Sequence, residues 1–386
     1  MFSLFKSKSH KKHCEQILRS LEAPLKECSA ASVLDTERLL DAYKVALKGL
    51  DKDFDTFSAN EVMRSGNDEE PGNTSDIITV FRRWQRTGSA PSLMAMAVVM
   101  IDEFDIQDAD NRHLVLMAAT LGCLDLDLPY HNNLHFRKVL LQLMRLIQVH
   151  NKIYGQTTKS LDEDEISVML AAACIHDLEH DGKGNTIKGV HETYRLEIQS
   201  YVIAEPFLKA AGASEEALEM IKLLLLCTDV SPLGEQTNPM NQMKAAYRYH
   251  FMGENSKIAS LNLSEDIKAL ETDHKAALMA CMLQESDIAT SGGLSYEVTQ
   301  YETTLYRMEI GFKDARPQHI VEFLKDVCQR RFLTDAGQKL FAANMARIYA
   351  LAEKGVAEGN EEFPKPEHTD FILGKSVAHN TSKTLN

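Results

Sequence analysis

The sequence contains no Cys-x-x-Cys pair, no apolar run long enough to cross a bilayer, and no alternating polar and apolar stretch of convincing strand length. Each absence removes a class of protein. The seven cysteines, Cys14, Cys28, Cys123, Cys174, Cys227, Cys281 and Cys328, are odd in number and scattered. That pattern argues against a disulfide framework or a zinc ribbon and fits a reducing, cytoplasmic compartment. The longest apolar runs, LMAMAVVMI (93–101) and IKLLLLC (221–227), read as buried helices rather than membrane spans. The opening MFSLFKSKSHKKHCEQIL has no apolar segment behind its basic residues, so it does not read as a secretory signal. Basic residues are in deficit: the net charge is -14, and a nucleic-acid backbone would repel such a chain unless a local basic patch intervened. No internal repeat is evident.

What is present is the composition of a soluble globular protein, 44% hydrophobic and 25% charged over 386 residues, enough chain for a sizeable core. The periodic segments are helical. DTERLLDAYKVAL (35–47) opens on a capping aspartate, Asp35, and sets Leu39, Leu40, Tyr43 and Leu47 on one face. RSGNDEEPGNTSD (64–76) is rich in breakers and is the best candidate linker. Helices are then expected at 77–86, 91–104, 112–123 and 134–154, the last closed by Gly155. Another follows a capping box of Ser160 with Glu163, and more are expected at 191–211, 215–227, 273–290 and 318–329. The expected fold is therefore all-α, a compact multi-helix bundle. Its expected divisions are a helical amino-terminal region and linker (1–75) with no readable motif, a main domain (76–358), and a polar, mobile tail (359–386).

Two short stretches carry chemistry. PYHNNLHFRKVLLQL (129–143) sets His131 and His135 four residues apart at the mouth of a helix, on one face. Alone, such a pair fits a polar surface turn. AAACIHDLEHDGKGN (171–185) ends a helix of small and apolar residues in His176, Asp177, Glu179, His180 and Asp181. Burying that much ionisable material is costly, and a bound cation is the usual compensation. Imidazole can bind one ion while a carboxylate bridges two. Gly182 and Gly184 then turn the chain away from the helix end. Cys174, within the apolar part, reads as core packing rather than a nucleophile, since no cation is near to lower its pKa.

Taken jointly, His131-Asn132-x-x-His135 and His176-Asp177-x-x-His180-x-Gly182-x-x-Asn185 resemble the first two signatures of the class I cyclic nucleotide phosphodiesterases, within the His-Asp metal-dependent phosphohydrolase superfamily. CTDVS (227–231) resembles that family's Thr-Asp segment, and QESDIATS (284–291) the segment bearing its last metal-binding aspartate. The resemblance covers residues 125–291 in motifs and about 91–349 as a helical pattern. It implies metal ligands His135, His176, Asp177 and Asp287, with Asp177 shared between two divalent ions, zinc at the tight position and magnesium or manganese at the second. It further implies that His180, Glu192, Asp229 and Asn185 orient the ligands or hold bound water, and that Tyr130 lies on the substrate side. The implied reaction is hydrolysis of cAMP or cGMP to the 5'-monophosphate by metal-activated hydroxide, with His131 as general acid to the leaving 3'-oxygen.

The chain also departs from the family. Phe136, Arg137, Lys138 and Val139 replace the Ala-x-Asp-Val that follows the first signature, Asp181 replaces a proline, and VIAEPFL (202–208) lacks an Asn-His-His. These changes point to a divergent relative, with a bacterial source as one reading. In RPQHIVEFL (316–324), Gln318 stands where the family's base-binding glutamine would, but Val321 occupies its aromatic position; Phe312 and Phe323 are alternative stacking partners. Two other readings stay open: a His-Asp phosphohydrolase acting on another nucleotide or phosphoester, and a non-catalytic ligand sensor of the same fold. In each, the expected partner is a small molecule.

Overall fold

The Asp35 carboxylate accepts hydrogen bonds from the backbone N–H groups of Glu37 (3.0 Å) and Arg38 (3.2 Å), opening helix α3 (Thr36–Ser58) as its sequence anticipates. In the computed structural model, which describes residues 8–58, 74–155, 157–254 and 263–363, α3 follows α1 (Lys8–Ser20) and α2 (Glu22–Ala31). Next come α4 (Ser75–Thr87), α5 (Leu93–Glu103), α6 (Ala109–Leu121), α7 (Asn133–Tyr154), α8 (Glu163–Ile175), α9 (Arg195–Ala210), α10 (Glu215–Leu226) and α11 (Pro239–Met252). The chain ends in α12 (His274–Gly292), α13 (Tyr296–Glu309), α14 (Pro317–Asp326) and α15 (Asp335–Ala357). A 3-10 segment, Glu265–Glu271, precedes α12, and the β structure among the described residues is one hairpin, Thr186–Ile187 paired with Val190–His191. The fold is all-α.

Helix α12 is buried along nearly its whole length because it packs against α7, α8, α10, α11, α13 and α15 at once. Helix α8 lies across α6, α7 and α10, and Ala171, Ala172 and Ala173 let its neighbours come close. The approach is tightest at Gly122, where a Cβ would stand 2.3 Å from the Cys174 carbonyl oxygen. Leu18, Leu25, Leu39 and Tyr43 of the first three helices belong to the same contiguous core as α5 to α15, through contacts of α1 with α5 and α6, α2 with α9, and α3 with α5. All seven cysteines are free thiols, and burial pushes that of Cys174 far up. Among the described residues no helix is long and apolar enough to cross a membrane.

Four local expectations need correction or restriction. The capping box before α8 is Asp162 with Glu165, not Ser160 with Glu163. The Asp162 carboxylate accepts from Glu165 N (3.0 Å), that of Glu165 accepts from Asp162 N (2.9 Å), and the Ser160 hydroxyl instead donates to Thr157 O (2.8 Å). Helix α9 starts at Arg195 rather than 191, because Lys188, Gly189 and Tyr194 all have positive φ and fold residues 186–191 into the hairpin. Of the candidate linker, 64–73 lies outside the described residues, while Ser75 and Asp76 already begin α4. Most of the tail, 364–386, is likewise outside them, whereas Phe363 is buried and donates its N–H to Ala315 O (2.7 Å).

One departure from the family pattern finds a partner in the fold. Lys138 on α7 pairs with Glu302 on α13 at 2.5 Å, both side chains 3% exposed.

Candidate active site

His135, His176 and Asp287 come together from three helices, and Asp177 stands beside the two histidines. His135 sits in the first turn of α7, whose cap, Asn132, accepts hydrogen bonds from Leu134 N (2.9 Å) and His135 N (3.2 Å). His176 and Asp177 follow the last residue of α8, and Asp287 projects from α12. His135 Nε2 lies 3.3 Å from His176 Nε2, 3.5 Å from Asp177 Oδ2 and 3.0 Å from Asp287 Oδ1. His176 Nε2 lies 3.2 Å from Asp177 Oδ2 and 3.9 Å from Asp287 Oδ1.

Those edges can be compared with a coordination sphere. Donors about 2.0–2.1 Å from a common ion stand about 3.3–3.4 Å apart in a tetrahedron and about 3 Å apart at adjacent octahedral corners. The edges among His135, His176 and Asp287, 3.3, 3.0 and 3.9 Å, lie near both, so these three donors fit a divalent transition metal in size and chemistry, with Asp177 Oδ2 standing beside the two imidazoles. His176 Nδ1 donates to the Ala173 carbonyl (3.0 Å), which leaves its Nε2 lone pair directed at the cluster. Burial alone would depress the His135 imidazole, but the hydrogen bonds and charges of Asp177 and Asp287 outweigh it and lift the ring to about 10. His176 is raised against the same burial penalty, chiefly by the charge of Asp177. The Asp177 carboxyl, despite burial, is held well below its ordinary value by the histidines around it.

His131 lies just ahead of α7, its ring centroid 5.6 Å from that of His135, as the four-residue spacing anticipates. Its partner is Glu309, at the end of α13. Glu309 Oε2 accepts from the backbone N–H groups of Tyr130 (2.8 Å) and His131 (2.9 Å), and Oε1 accepts from His131 Nδ1. The Glu309 side chain is 1% exposed, and its hydrogen bonds to His131 overcome burial to keep the carboxyl below its usual range. Sequence reasoning missed this residue: it is 178 positions from His131, and nothing in YRMEI marks it. The His180 ring stacks on that of His131 at 4.0 Å and is pushed down to about 4 by burial and by the neighbouring His131.

His131, His180 and Glu309 are close enough to form a second set of potential metal donors. The Glu309 carboxylate and one nitrogen of each histidine are already engaged, however. Glu309 serves three donors, and His180 Nδ1 accepts from Gly182 N (3.0 Å). This group places a proton better than a cation.

The remaining sequence candidates divide. Tyr130 donates to or accepts from the Ser291 hydroxyl (3.0 Å), and its ring packs 5.0 Å from that of His135. Asp229 is buried and accepts from Tyr194 N (3.0 Å) and Ser231 N (2.8 Å), bracing the start of α9. Asn185 is buried and donates to Glu197 Oε2 (2.9 Å). Glu192 is exposed and meets Asn185 through its backbone N–H (2.9 Å). The buried acid beside Asn185 is Glu197, unmarked in the sequence, which burial and then the charge of Asp229 raise to about 8. Gln318 stands apart: its side chain donates to Glu322 (2.9 Å) on its own helix, and its backbone N–H to Asn360 (3.0 Å). Phe312 is half exposed under the Arg307 guanidinium (3.8 Å), and Phe323 is partly buried against the core. Asp181, in the family's proline position, receives both guanidinium nitrogens of Arg195 (3.0 and 2.9 Å) and ties the glycine turn to α9.

No protein-family model matches the sequence, and no curated protein does. Among solved structures, the chain is similar to the phosphodiesterase domain of Salpingoeca rosetta rhodopsin phosphodiesterase. The TM-score is 0.44 and the identity 18%, over 71% of this chain and 93% of that one.

Proposed function

We propose that this chain is a metal-dependent phosphoric diester hydrolase that opens a 3',5'-cyclic nucleotide to the 5'-monophosphate. The observation that carries the reading is the meeting of His135, His176 and Asp287 at 3.0 to 3.9 Å, with Asp177 3.2 and 3.5 Å from the two imidazoles, beside the His131–Glu309 pair. His135, His176 and Asp287 would hold zinc, which two imidazoles and a carboxylate suit, and Asp177 would be shared with a harder cation such as magnesium or manganese. Bound cations would supply Lewis acidity and a water acidic enough to act as nucleophile near neutrality.

The chain's own residues do the rest. Ala173 fixes the tautomer of His176. Glu309 holds the proton on His131 Nδ1 and leaves Nε2 to donate to the departing 3'-oxygen as its bond to phosphorus breaks. Tyr306, exposed with its ring 5.7 Å from that of Tyr130, offers an apolar wall on the same side. Residues 76–358 would be the catalytic unit, with 1–75 an addition to it.

The motif resemblance favours a cyclic nucleotide as substrate. The engagement of Gln318 with Glu322 favours the second reading, a related hydrolase of another phosphoester. An intact general acid, His131, and intact candidate ligands argue against a non-catalytic sensor. Purified protein with manganese or magnesium, assayed against cyclic and linear phosphoesters, separates these. Hydrolysis of cAMP or cGMP that is lost in His131→Ala and Asp177→Ala supports the first reading. Turnover confined to other esters moves the assignment to the second, and stoichiometric metal without turnover refutes both.

A further inference from the structure

The turn that carries the second motif is held from outside the residues the motif names. Between Asp177 and His180 the backbone closes on itself, His180 N donating to Asp177 O (3.0 Å), and Glu179 is forced into the left-handed region at φ 58. Such a conformation in a residue with a Cβ persists only where its surroundings impose it. Gln199 on α9 holds the Glu179 carbonyl (3.2 Å). The side chain is held by the amino-terminal region: Arg38 on α3 reaches Glu179 with both terminal nitrogens, 3.0 Å to Oε1 and 3.3 Å to Oε2. The same guanidinium donates to the carbonyl of Asp125, where the chain starts toward His131. Asn133, the first residue of α7, secures that start through Leu126 N (3.0 Å).

We propose that Arg38 is a positioning residue for the metal centre, an inference that rests on the function proposed above. One planar cation spans the segment bearing His131 and His135 and the turn bearing Asp177 and His180. These are the two segments whose rings stack at 4.0 Å between His131 and His180. Arginine suits the task because its fork can serve a carboxylate and a carbonyl together, which a lysine ammonium on a flexible stem cannot do in one fixed geometry. Helix α3 is a firm base for it: Leu39 and Tyr43 are fully buried, and Asp53 accepts from Ser92 N at the head of α5 (2.9 Å). The amino-terminal helices thereby set the registration of the site without contributing a ligand.

The pair is partly exposed, Arg38 at 38% and Glu179 at 25%, so it adds little to global stability. That separates positioning from support. The test uses the full chain stripped of metal, titrated with Zn2+ by calorimetry, and melted without metal. Arg38→Ala and Glu179→Asn, the latter tolerating the left-handed backbone, are each expected to weaken Zn2+ binding about tenfold. The double variant should be no weaker than either single one, Arg38→Lys should recover part of the loss, and the metal-free melting temperatures should stay within about 2 °C of wild type. Unchanged Zn2+ affinity in Arg38→Ala, losses that add in the double variant, or melting temperatures that fall in step with affinity would overturn the inference while leaving the proposed function standing. A wild-type chain that takes up no Zn2+ overturns the proposed function and this inference with it.

Discussion

Replacing Glu309 by glutamine removes a charge while keeping the shape, and the structure shows what the change would cost. Three donors converge on the two carboxylate oxygens: Tyr130 N, His131 N and His131 Nδ1. Glutamine offers one oxygen, and its NH2 cannot accept. Either the two backbone amides or the imidazole N–H must face another donor. An unmet buried donor costs about 1–3 kcal/mol, which is roughly ten- to a hundredfold in a rate that depends on the ring staying in place. Loss of a general acid altogether costs about 10²–10⁴-fold. Glu309→Gln should therefore lower kcat on the cyclic nucleotide about a hundredfold with a much smaller change in KM. A diester with a nitrophenolate leaving group, which departs without a proton, should lose less than about fivefold. The comparison is made with one enzyme preparation at matched metal content. Equal losses on the two substrates, or none on the cyclic one, would refute the assignment of Glu309 to proton delivery.

Buried charges give three further expectations. Because His135 is raised to about 10 by Asp177 and Asp287, cation binding must displace its proton below that pH. Calorimetry at pH 8 in buffers of different ionisation enthalpy should record proton release on metal uptake. The same raised pKa gives the metal-free chain stability that is complete below about 6.5 and disappears as pH climbs through about 10, so its melting temperature should fall over that window and metal should blunt the fall. Separately, Glu302→Ala strands the Lys138 ammonium and should cost about 3–5 kcal/mol in urea unfolding, whereas Lys138→Met with Glu302→Leu should recover most of it.

Motifs and caps were legible because they act over a few residues. Asp35 opens α3, Gly155 closes α7 at φ 57, and the histidines of two short segments lie near Asp287, as the family resemblance implies. The errors were also local ones. Ser160 and Asp162 both precede a glutamate at the capping distance, and only the fold shows that the Ser160 hydroxyl turns back to Thr157. The start of α9 is not legible because His191, Glu192 and Thr193 run straight into the helical pattern of 195–210, and the positive φ at Tyr194 leaves no trace in residue type. Glu309 and Glu197 were illegible for a different reason. A single glutamate on an amphipathic helix looks the same whether it faces water or a buried imidazole, and only the packing of α13 and α9 distinguishes the two.

The continuity of the core has a practical consequence for anyone who divides this chain. A cut between residues 58 and 74 would fall at a natural-looking boundary, yet it would peel α1, α2 and α3 from α5, α6 and α9. Faces now covered by Leu18, Leu25, Leu39 and Tyr43 would be laid bare to water. The shortened protein would be expected to clump, and its silence in an assay would say nothing about the chemistry of the part that was kept.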